Sequence, residues 1–585
     1  MPPVAKVWQL LPHDAVAVER MSTALRMSPI AAQLLLNRGF ADAEVAHRFL
    51  ESHLTALHAP ELLTGVLQAV DLLEIAIRDK KRICIYGDYD VDGISGTAIL
   101  WNLFHLLDVP VEFHMPNRLE DGYGLRSSTL TQLAQQGTQV VVTVDCGITG
   151  IEEAATARRL GLQLVITDHH EYKDELPVAD VLVHPGLPGG SYPFRGLSGA
   201  GVAFKLAWAL CQRLSGSEKV LPKFREFLLD AVAHASLGLI ADVVPLQDEN
   251  RIFVKHGLNR LQTAPTVGLK ALLESATLNS GSVLRAEDVA FKLAPRLNAA
   301  GRLGCARLVV ELLTTTNAEK ARDLAAYLDG QNKERQSLER RFTREARELF
   351  EAGDWQRQPA IVLHHAEWHA GVIGIVAGRL AEQFGRPALV ICSRDNPASG
   401  SGRSIPGFAL HQALQACAGD LISHGGHAAA AGFKISLDRI DAFRAKFCEY
   451  TATHFPQGMP PPPRLVLDAE VPLSALTFGL LQEIDRLEPY GAHNPRPRFL
   501  AGGLQIVGEP RRIGGGERHL SFRVRQAGTN VRAVAFGLGD RMEELLSAGG
   551  QCCLAFTPRI NEWNGMRNIE LEVSDFQAGA QARLG

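Results

Sequence analysis

The sequence predicts an α/β protein with a parallel, doubly wound sheet, a long connecting helix, a smaller α/β lobe and a C-terminal β-barrel. Three observations lead to this prediction. Short apolar strands alternate with helical stretches in the first half, a long charged stretch follows, and strand-like segments come after a run of four prolines. A chain of 585 residues exceeds one hydrophobic core, so three or four domains are expected.

The predicted first lobe, residues 76–315, follows an N-terminal segment, 1–75, that is predicted to be helical because its apolar residues recur every three or four positions. In the lobe, short apolar strands are predicted at 82–86, 139–144, 162–167 and 181–183. Brief apolar strands separated by helices are typical of a parallel sheet whose two faces are both covered.

The middle of the chain predicts one connecting helix over residues 316–353, either continuous or broken once at Gly330. A capping-box pattern at 316–319 opens it, and Gly353 is a suitable C-cap. The α/β lobe at 354–459 has strands at 360–363 and 388–391 around a helix at 372–383. After the proline linker, strand-like segments at 465–467, 520–524 and 531–536 predict a barrel over 464–577.

Composition narrows the class of protein. The net charge is −4, so affinity for a polyanion must come from local basic patches. The nine cysteines show no CxxC spacing, and an odd count argues against a disulfide framework. Neither a secretory signal nor an apolar run of membrane-spanning length is evident, so a cytoplasmic protein without a membrane partner is expected.

Polar side chains follow the first three predicted strands, and a further acid follows an apolar helical run. These residues are Asp88, Asp90 and Asp92; Asp145; Asp168, His169 and His170; and Asp242. Each one alone is more often a turn former, a helix cap or a structural histidine. The carboxyl ends of parallel strands converge on one crevice, however, and clustered carboxylates repel one another without a cation. Carboxylates with imidazoles suit Mn²⁺ or Mg²⁺, the ions that support phosphodiester hydrolysis.

The order of these motifs resembles the DHH phosphoesterases, with the DxDxDG element at 88–93 and the aspartate-histidine-histidine triplet at 168–170. The resemblance implies that one or two Mn²⁺ or Mg²⁺ ions are held by Asp90, Asp92, Asp145, His169 and Asp242. It makes Asp88 a further ligand and a candidate catalytic residue. His170 is implied to face the scissile phosphate as an electrophile or general acid.

The second lobe is similar to the companion DHHA1 domain, with WHAGVIG at 368–374, SGRS at 401–404 and GGHA at 425–428. Its glycines allow close backbone approach to a phosphate, and an arginine supplies a bidentate fork. The implied substrate-binding residues are Ser401, Gly402, Arg403, Gly426 and His427.

Two further stretches narrow the resemblance to the RecJ exonucleases: MPNR at 115–118 leading into DGYGL at 121–125, and APRLNAAGR at 294–302. They add Arg118, Tyr123, Arg296, Asn298 and Arg302 as candidate substrate-binding residues. For Arg296 and Arg302, a structural salt bridge remains an alternative. The candidates for binding the 5′-terminal phosphate are Arg118, Arg296, Ser401 and Arg403.

The C-terminal segment is similar to the RecJ oligonucleotide-binding (OB) barrel. PYGAHNPRP at 489–497 opens a basic region that contains Arg498, Arg511, Arg512, Arg518, Arg523, Arg525 and Arg532. Positive grooves with aromatic platforms are how such barrels hold single strands. The candidate stacking residues are Phe499, Phe522, Phe536 and Trp563, although each alone is more often a core residue.

The resemblance implies a metal-dependent exonuclease that degrades single-stranded DNA from its 5′ end to mononucleotides, in DNA recombination and repair. Single-stranded DNA is then the main partner, and a single-strand-binding protein or a helicase is a further candidate. Two alternatives remain: a DHH phosphodiesterase acting on short oligonucleotides, and an inactive single-strand-binding replication scaffold. The basic barrel argues against the first, and the complete set of acids argues against the second.

Overall fold

The computed structural model describes residues 5–117, 122–172, 174–278, 283–302, 304–547, 549–563 and 565–585. Arg118 lies outside these residues, as do the side chains of Arg302 and Trp563. The chain forms two compact units. The first contains the residues up to Glu51 together with Leu338–Glu488 and Arg496–Gly585, and the second contains Ser52–Ser337 and Pro489–Pro495.

Helices and strands alternate along most of the chain. The α-helices are α1 (Ala15–Leu25), α2 (Pro29–Asn37), α3 (Ala43–Glu51), α4 (Val66–Arg78), α5 (Val91–Leu106), α6 (Ser127–Gln135), α7 (Ile151–Arg159), α8 (Gly199–Ser215), α9 (Pro222–Ala241), α10 (Asp248–Thr263), α11 (Val267–Ser275), α12 (Ala286–Asp288), α13 (Ala294–Arg302), α14 (Ala306–Thr314), α15 (Ala318–Ala352), α16 (Ala370–Phe384), α17 (Leu410–Ala416), α18 (Ile440–His454), α19 (Phe478–Asp485) and α20 (Met542–Leu546). The strands are β1 (Val7–Leu10), β2 (Ile83–Gly87), β3 (Val111–His114), β4 (Val140–Val144), β5 (Gln163–Thr167), β6 (Val181–Val183), β7 (Ile361–His365), β8 (Ala388–Cys392), β9 (Ala398–Arg403), β10 (Ser423–Gly426), β11 (Ala430–Ile435), β12 (Arg464–Leu467), β13 (Ala469–Glu470), β14 (Phe499–Ile513), β15 (His519–Gln526), β16 (Thr529–Ala535), β17 (Gln551–Trp563) and β18 (Met566–Ala578).

The second unit is built on a parallel sheet with the strand order β3-β2-β4-β5-β6. The predicted doubly wound sheet is confirmed. Its central strands β2 and β4 are buried along their whole length, as expected when helices cover both faces. Strand β3 was not predicted, because its sequence, VEFH, is not a continuous apolar run and the strand is only half buried. The strand order reverses between β2 and β4, and in such sheets a ligand crevice forms at that reversal.

Helix α15 is the long connecting helix, and it runs without interruption through Gly330. Of the two alternatives, the continuous helix is the one observed, because a helix tolerates a single exposed glycine at a modest cost. The N-cap is Asn317 rather than Thr316: its side-chain oxygen accepts from Glu319 N at 2.9 Å and from Lys320 N at 3.0 Å. An asparagine cap meets the same need as the predicted capping box.

The first unit holds the other two predicted elements, and both are confirmed. The smaller α/β lobe has a mixed sheet in the order β10-β11-β9-β8-β7, in which only β7 and β8 pair in parallel. The barrel consists of β14, β15, β16, β18 and β17 and is closed by the pairing of β14 with β17.

Two strands near the chain's start and after the proline linker depart from the expectations. The N-terminal segment is not purely helical, because β1 precedes its helices and pairs in parallel with β12. The segment at 465–467 therefore belongs to this pair rather than to the barrel. Trp8 on β1 is buried, and its indole N–H donates to Asp575 Oδ2 at 2.8 Å.

No helix in the described part of the chain is both long enough and apolar enough to cross a membrane.

Candidate metal centre

The first three aspartates lie where β2 passes into α5. Asp88 is buried directly after the strand, and Asp90 is the N-cap of the helix. The Asp90 carboxylate accepts from Asp92 N at 2.9 Å and from Gly93 N at 3.2 Å. A Cβ at position 93 would lie 2.6 Å from Asp88 N, so this tight turn requires glycine. Strand and helix cap together place all three carboxylates at one end of the sheet.

Asp92 is fully buried against the N-terminus of α8. Its carboxylate accepts from Ser198 Oγ at 2.7 Å, from Gly199 N at 2.6 Å and from Ala200 N at 3.1 Å. Burial and then the charge of Asp90 raise the pKa of Asp92 to about 6. A helix N-terminus stabilises a carboxylate, which offsets part of the cost of its burial.

Close backbone approach around Asp92 depends on two glycines that the sequence interpretation missed. A Cβ at Gly238 of α9 would lie 2.3 Å from Asp92 Oδ1, and one at Gly199 would lie 2.5 Å from Asp145 Oδ1. The only signal in the sequence is the run of small residues at 198–201, which many helix starts share.

Asp145 follows β4 and is buried, with a φ of 65°. Aspartate tolerates this left-handed conformation better than most residues. Burial and then the charges of Asp92 and Asp90 raise the pKa of Asp145 well above its usual value. Without a cation, the carboxylates of the cluster therefore oppose one another's ionisation.

His169 lies among these acids. Its Nε2 is 3.1 Å from Asp145 Oδ1, 3.6 Å from Asp242 Oδ2 and 3.8 Å from Asp92 Oδ2. Burial lowers the pKa of His169 to about 3, which leaves a neutral imidazole. Neither His169 Nε2 nor Asp145 Oδ1 has a hydrogen-bond partner among the described residues, although both atoms are buried. Buried polar atoms without partners are costly, and a metal ion would satisfy both of them.

Asp242 ends α9 and completes the cluster. Burial and then the charges of Asp92 and Asp90 raise the pKa of Asp242 to about 8. Three groups have candidate ligand atoms within 4.8 Å of one another: Asp88, Asp90 and Asp145; Asp92, His169 and Asp242; and Asp145, His169 and His170. This donor set of carboxylates with imidazole fits Mn²⁺ or Mg²⁺.

His170 lies beside the cluster and is held by Asp168, whose Oδ1 is 2.8 Å from His170 Nδ1. Tyr123 Oη lies 3.0 Å from the same nitrogen and 3.2 Å from Asp145 O. Burial lowers the pKa of His170, but the hydrogen bond and the charge of Asp168 outweigh it and raise the value to about 9. Asp168 therefore orients a protonated His170, a role that the sequence interpretation had not assigned to it.

Comparison with known proteins agrees with this geometry. The DHH family N-terminal domain matches residues 82–235, the DHHA1 domain matches 357–453, and the RecJ OB domain matches 467–575. The single-stranded-DNA-specific exonuclease RecJ of Bacillus subtilis is 36% identical over 572 residues, which are 97% of this chain and 70% of that protein. The chain belongs to the RecJ family.

Solved structures of the RecJ family cover almost the whole chain. RecJ of Thermus thermophilus in complex with Mn²⁺ is similar with a TM-score of 0.83 and 34% identity, over 99% of this chain and 80% of that chain. The same protein in complex with Mg²⁺ gives a TM-score of 0.78 and 32% identity, over 99% and 79% of the two chains.

Helix α13 of the second unit carries the RecJ-type motif at 294–302. A Cβ at Gly301 would lie 2.4 Å from Tyr89 O, so the helix packs directly against the loop between Asp88 and Asp90. Arg296 on this helix forms an ion pair with Asp329, with Nη2 at 2.9 Å and Nε at 3.0 Å from its Oδ1. Asn298 lies on the same helix and is partly exposed. The salt bridge that was the alternative to a substrate contact for Arg296 is therefore present in the structure.

Five further candidate substrate residues of this RecJ-family chain lie in the first unit. Ser401, Gly402 and Arg403 end β9, and Arg403 Nη1 donates to Gly402 O at 2.8 Å. Gly426 and His427 lie at the turn between β10 and β11, where both are exposed. Because β11 pairs with both β9 and β10, the structure brings these five residues to one region of a single sheet.

The structure of the RecJ-type barrel excludes two of the candidate base-stacking residues. Phe499 and Phe522 are buried in its core, where aromatic side chains of alternating strand positions pack. Phe536 remains a candidate, because 58% of its surface is exposed. Arg511, Arg523 and Arg525 are exposed, whereas Arg532 is paired with Glu570 at 2.9 Å.

Proposed function

We propose that the protein is a metal-dependent exonuclease that hydrolyses single-stranded DNA from its 5′ end to mononucleotides, in DNA recombination and repair. The observation that carries this proposal is the buried cluster of carboxylates around His169 in a chain of the RecJ family. Relatives over nearly the full chain are named single-stranded-DNA-specific exonucleases.

The proposed metal ligands are Asp88, Asp90, Asp92, Asp145, His169 and Asp242, holding one or two Mn²⁺ or Mg²⁺ ions. Bound there, the metal supplies an activated water nucleophile and compensates negative charge on the phosphate. The chain itself orients these ligands: the start of α8 fixes Asp92, and the neutral imidazole of His169 presents Nε2 to the carboxylates. Asp88 is also a candidate catalytic residue, because it is buried beside the other acids.

We assign His170 to the scissile phosphate. Its hydrogen bond to Asp168 favours the protonated imidazole and raises the pKa of His170 to about 9 in the metal-free protein, so the ring can donate a hydrogen bond or a proton to a phosphate oxygen. Replacing His170 by Asn should reduce turnover about 10²–10⁴-fold and leave Mn²⁺ binding in place. A loss of Mn²⁺ affinity equal to that of His169→Asn would instead make His170 a metal ligand.

Recognition of the 5′ end is proposed for the β9 and β10–β11 group, Ser401, Gly402, Arg403, Gly426 and His427. A guanidinium with hydroxyl and backbone donors suits a terminal phosphate, which carries more charge than an internal diester. Tyr123, Asn298 and the arginines at 118, 296 and 302 remain candidate contacts along the strand. Arg296 is the weaker candidate for the terminal phosphate, because its guanidinium is already paired with Asp329.

Labelled single strands test both the activity and its direction. With Mn²⁺ or Mg²⁺ supplied, a 5′-labelled strand should release its label as a mononucleotide at once, and a 3′-labelled strand only at the end. Release in the opposite order would overturn the direction, and no release would favour the inactive scaffold. Arg403→Ala should narrow the preference for a 5′-phosphate over a 5′-hydroxyl; an unchanged preference would remove Arg403 from this role.

We also propose a helicase or a single-strand-binding protein as a partner, because duplex DNA must be opened before such an enzyme can act on it. The cytoplasm is the proposed location, since all nine cysteines are free thiols, as in a reducing compartment. Co-purification with a single-strand-binding protein in the presence and absence of DNA would test the direct contact.

A further inference from the structure

The loop after Asp242, residues 242–247, joins α9 to α10 in a conformation that needs external support. Val243 has a φ of 61° and an exposed side chain. A β-branched residue in the left-handed region is strained, and such strain persists only where the surrounding structure enforces it. We call residues 242–247 the Asp242 loop.

One support comes from Asn250 on α10. This side chain is fully buried, and its Nδ2 donates to Pro245 O at 3.0 Å and to Gly196 O at 2.5 Å. Gly196 lies two residues before Ser198, the residue that caps α8 and binds Asp92. Asn250 thus ties the Asp242 loop to the segment that fixes a second candidate ligand.

The other support comes from the distant segment Pro489–Pro495, which we call the clip. The clip belongs to the second unit, which holds the metal centre, although the residues on either side of it belong to the first unit. Leu246 N donates to Ala492 O at 2.9 Å, which attaches the clip to the Asp242 loop. A Cβ at Gly491 would lie 2.6 Å from Leu246 Cδ1, so the backbone of the clip packs directly on the Leu246 side chain.

The clip is closed by its own hydrogen bonds. Gly491 and Asn494 exchange backbone bonds of 2.9 and 3.1 Å, and the buried Asn494 side chain donates to Pro489 O at 2.8 Å. The closed form is therefore specified by Asn494, and the carbonyl that receives Leu246 lies within it.

We propose that the clip is a positioning element of the metal centre, with Asn494 as the residue that keeps it closed around the Asp242 loop. The proposal rests on the proposed role of Asp242 as a metal ligand. Groups that orient a ligand without touching the metal commonly change metal affinity about 10–100-fold when they are removed. The sequence motif at 489–495 then serves the metal centre rather than the DNA surface of the barrel.

The test is calorimetric titration of metal-stripped, full-length protein with MnCl₂. Asn494→Ala should weaken Mn²⁺ binding about 10-fold or more. Turnover of a single-stranded DNA should recover at high Mn²⁺, while the KM for DNA stays the same. Unchanged Mn²⁺ affinity with a lower melting temperature would make the clip a purely structural loop, and an increased KM for DNA alone would place it on the DNA surface. Either result overturns the proposal.

Two further variants complete the design. His493→Asn is the matched control, because this exposed residue of the same loop has a φ of 59°, which Asn tolerates. It should leave Mn²⁺ affinity unchanged, and a loss equal to that of Asn494→Ala would contradict the specific role of Asn494. If Asn494→Ala does not fold, Gly491→Ala tests the same contact through the clash with Leu246. Wild-type protein that binds Mn²⁺ but cleaves no DNA would contradict the proposed function. The Mn²⁺ affinities of the variants and the wild type would still test the role of the clip.

Discussion

Asp145 combines the features that make a buried carboxylate both useful and costly. Its Oδ1 is buried 3.1 Å from His169 Nε2, and burial together with the neighbouring acids raises its pKa. Removing one charge from a repelling, buried cluster relieves repulsion when no metal is present. The same change removes a donor when metal is bound.

Asp145→Asn should therefore reduce nuclease turnover about 10²–10³-fold, comparable to the loss of a principal electrostatic group in other enzymes. The metal-free melting temperature should stay the same or rise, because Asn keeps the shape and tolerates the φ of 65°. Label release and scanning calorimetry in EDTA measure the two effects. Asp395→Asn, at an exposed position, is the control; near-normal turnover of Asp145→Asn would remove this residue from the metal site.

The pKa shifts of the cluster predict how metal stabilisation depends on pH. Asp242, with a pKa of about 8, and His170, with a pKa of about 9, are both raised above their unfolded values. Each therefore contributes stability to the metal-free protein at lower pH that is lost as the pH rises towards these values. His169 acts in the opposite sense, but its effect is complete by its unfolded value near 6.5.

Metal-free protein should accordingly melt at a lower temperature at pH 8 than at pH 6.5, and added Mg²⁺ should raise the melting temperature more at pH 8. Each proton that the metal displaces changes the apparent affinity about tenfold per pH unit. Melting curves in EDTA and in Mg²⁺ at the two pH values measure this. Equal stabilisation by Mg²⁺ at both would contradict proton displacement from Asp242.

The candidate metal ligands could be predicted from the sequence, but the residues that position them could not. Asp88 and Asp145 each follow an apolar strand, so their meeting follows from sheet topology alone. Gly199, Gly238 and Asn250 act through close contacts with Asp145, Asp92 and Gly196, which are distant in sequence, and no local pattern marks such contacts.

At the scale of elements, strands made of continuous apolar runs were predicted, and strands of mixed sequence were not. Strands β2, β4 and β5 follow from runs of valine, isoleucine and leucine. Strands β1 and β3 have four residues each, and β1 exists because a partner some 450 residues later pairs with it. Pairing over such separations is set by tertiary packing, which propensity does not capture.

Helix α15 offers a direct test at Gly330, where the sequence left a break open and the structure has a continuous helix. A Cβ at Gly330 would meet nothing within 4 Å, and the residue is exposed in mid-helix. Gly330→Ala should stabilise the protein by about 0.5–1 kcal/mol without changing turnover. Scanning calorimetry measures the effect. Gly238→Ala is the contrasting helical glycine, because its Cβ would lie 2.3 Å from Asp92 Oδ1, and it should lose turnover. Destabilisation by Gly330→Ala would mean that α15 needs flexibility there.

At the scale of the whole molecule, a net charge of −4 means that binding to DNA depends on where the positive charges lie. The barrel is the natural place to test this, but truncation after Pro463 is unsuitable. Besides the barrel, such a truncation would remove β12, which pairs with β1, and the clip, which contacts the Asp242 loop. Substitution of exposed barrel arginines avoids both losses.

The barrel has exposed arginines at Arg511 on β14 and at Arg523 and Arg525 on β15. The two strands pair, and Arg511 lies opposite Ser521 of β15. Each phosphate contact on a single strand releases counterions and contributes about 0.7 to the slope of log K against log salt. Replacing all three by Ala should weaken binding to long single strands and reduce that slope by about 2. Fluorescence anisotropy of full-length protein in EDTA, across a salt series, measures both.

The charge-matched control replaces Arg78, Arg158 and Arg225, which are exposed in the other unit, and should leave the slope unchanged. Identical slopes for the barrel variant and the wild type would show that these arginines are solvated surface rather than part of the DNA-binding surface.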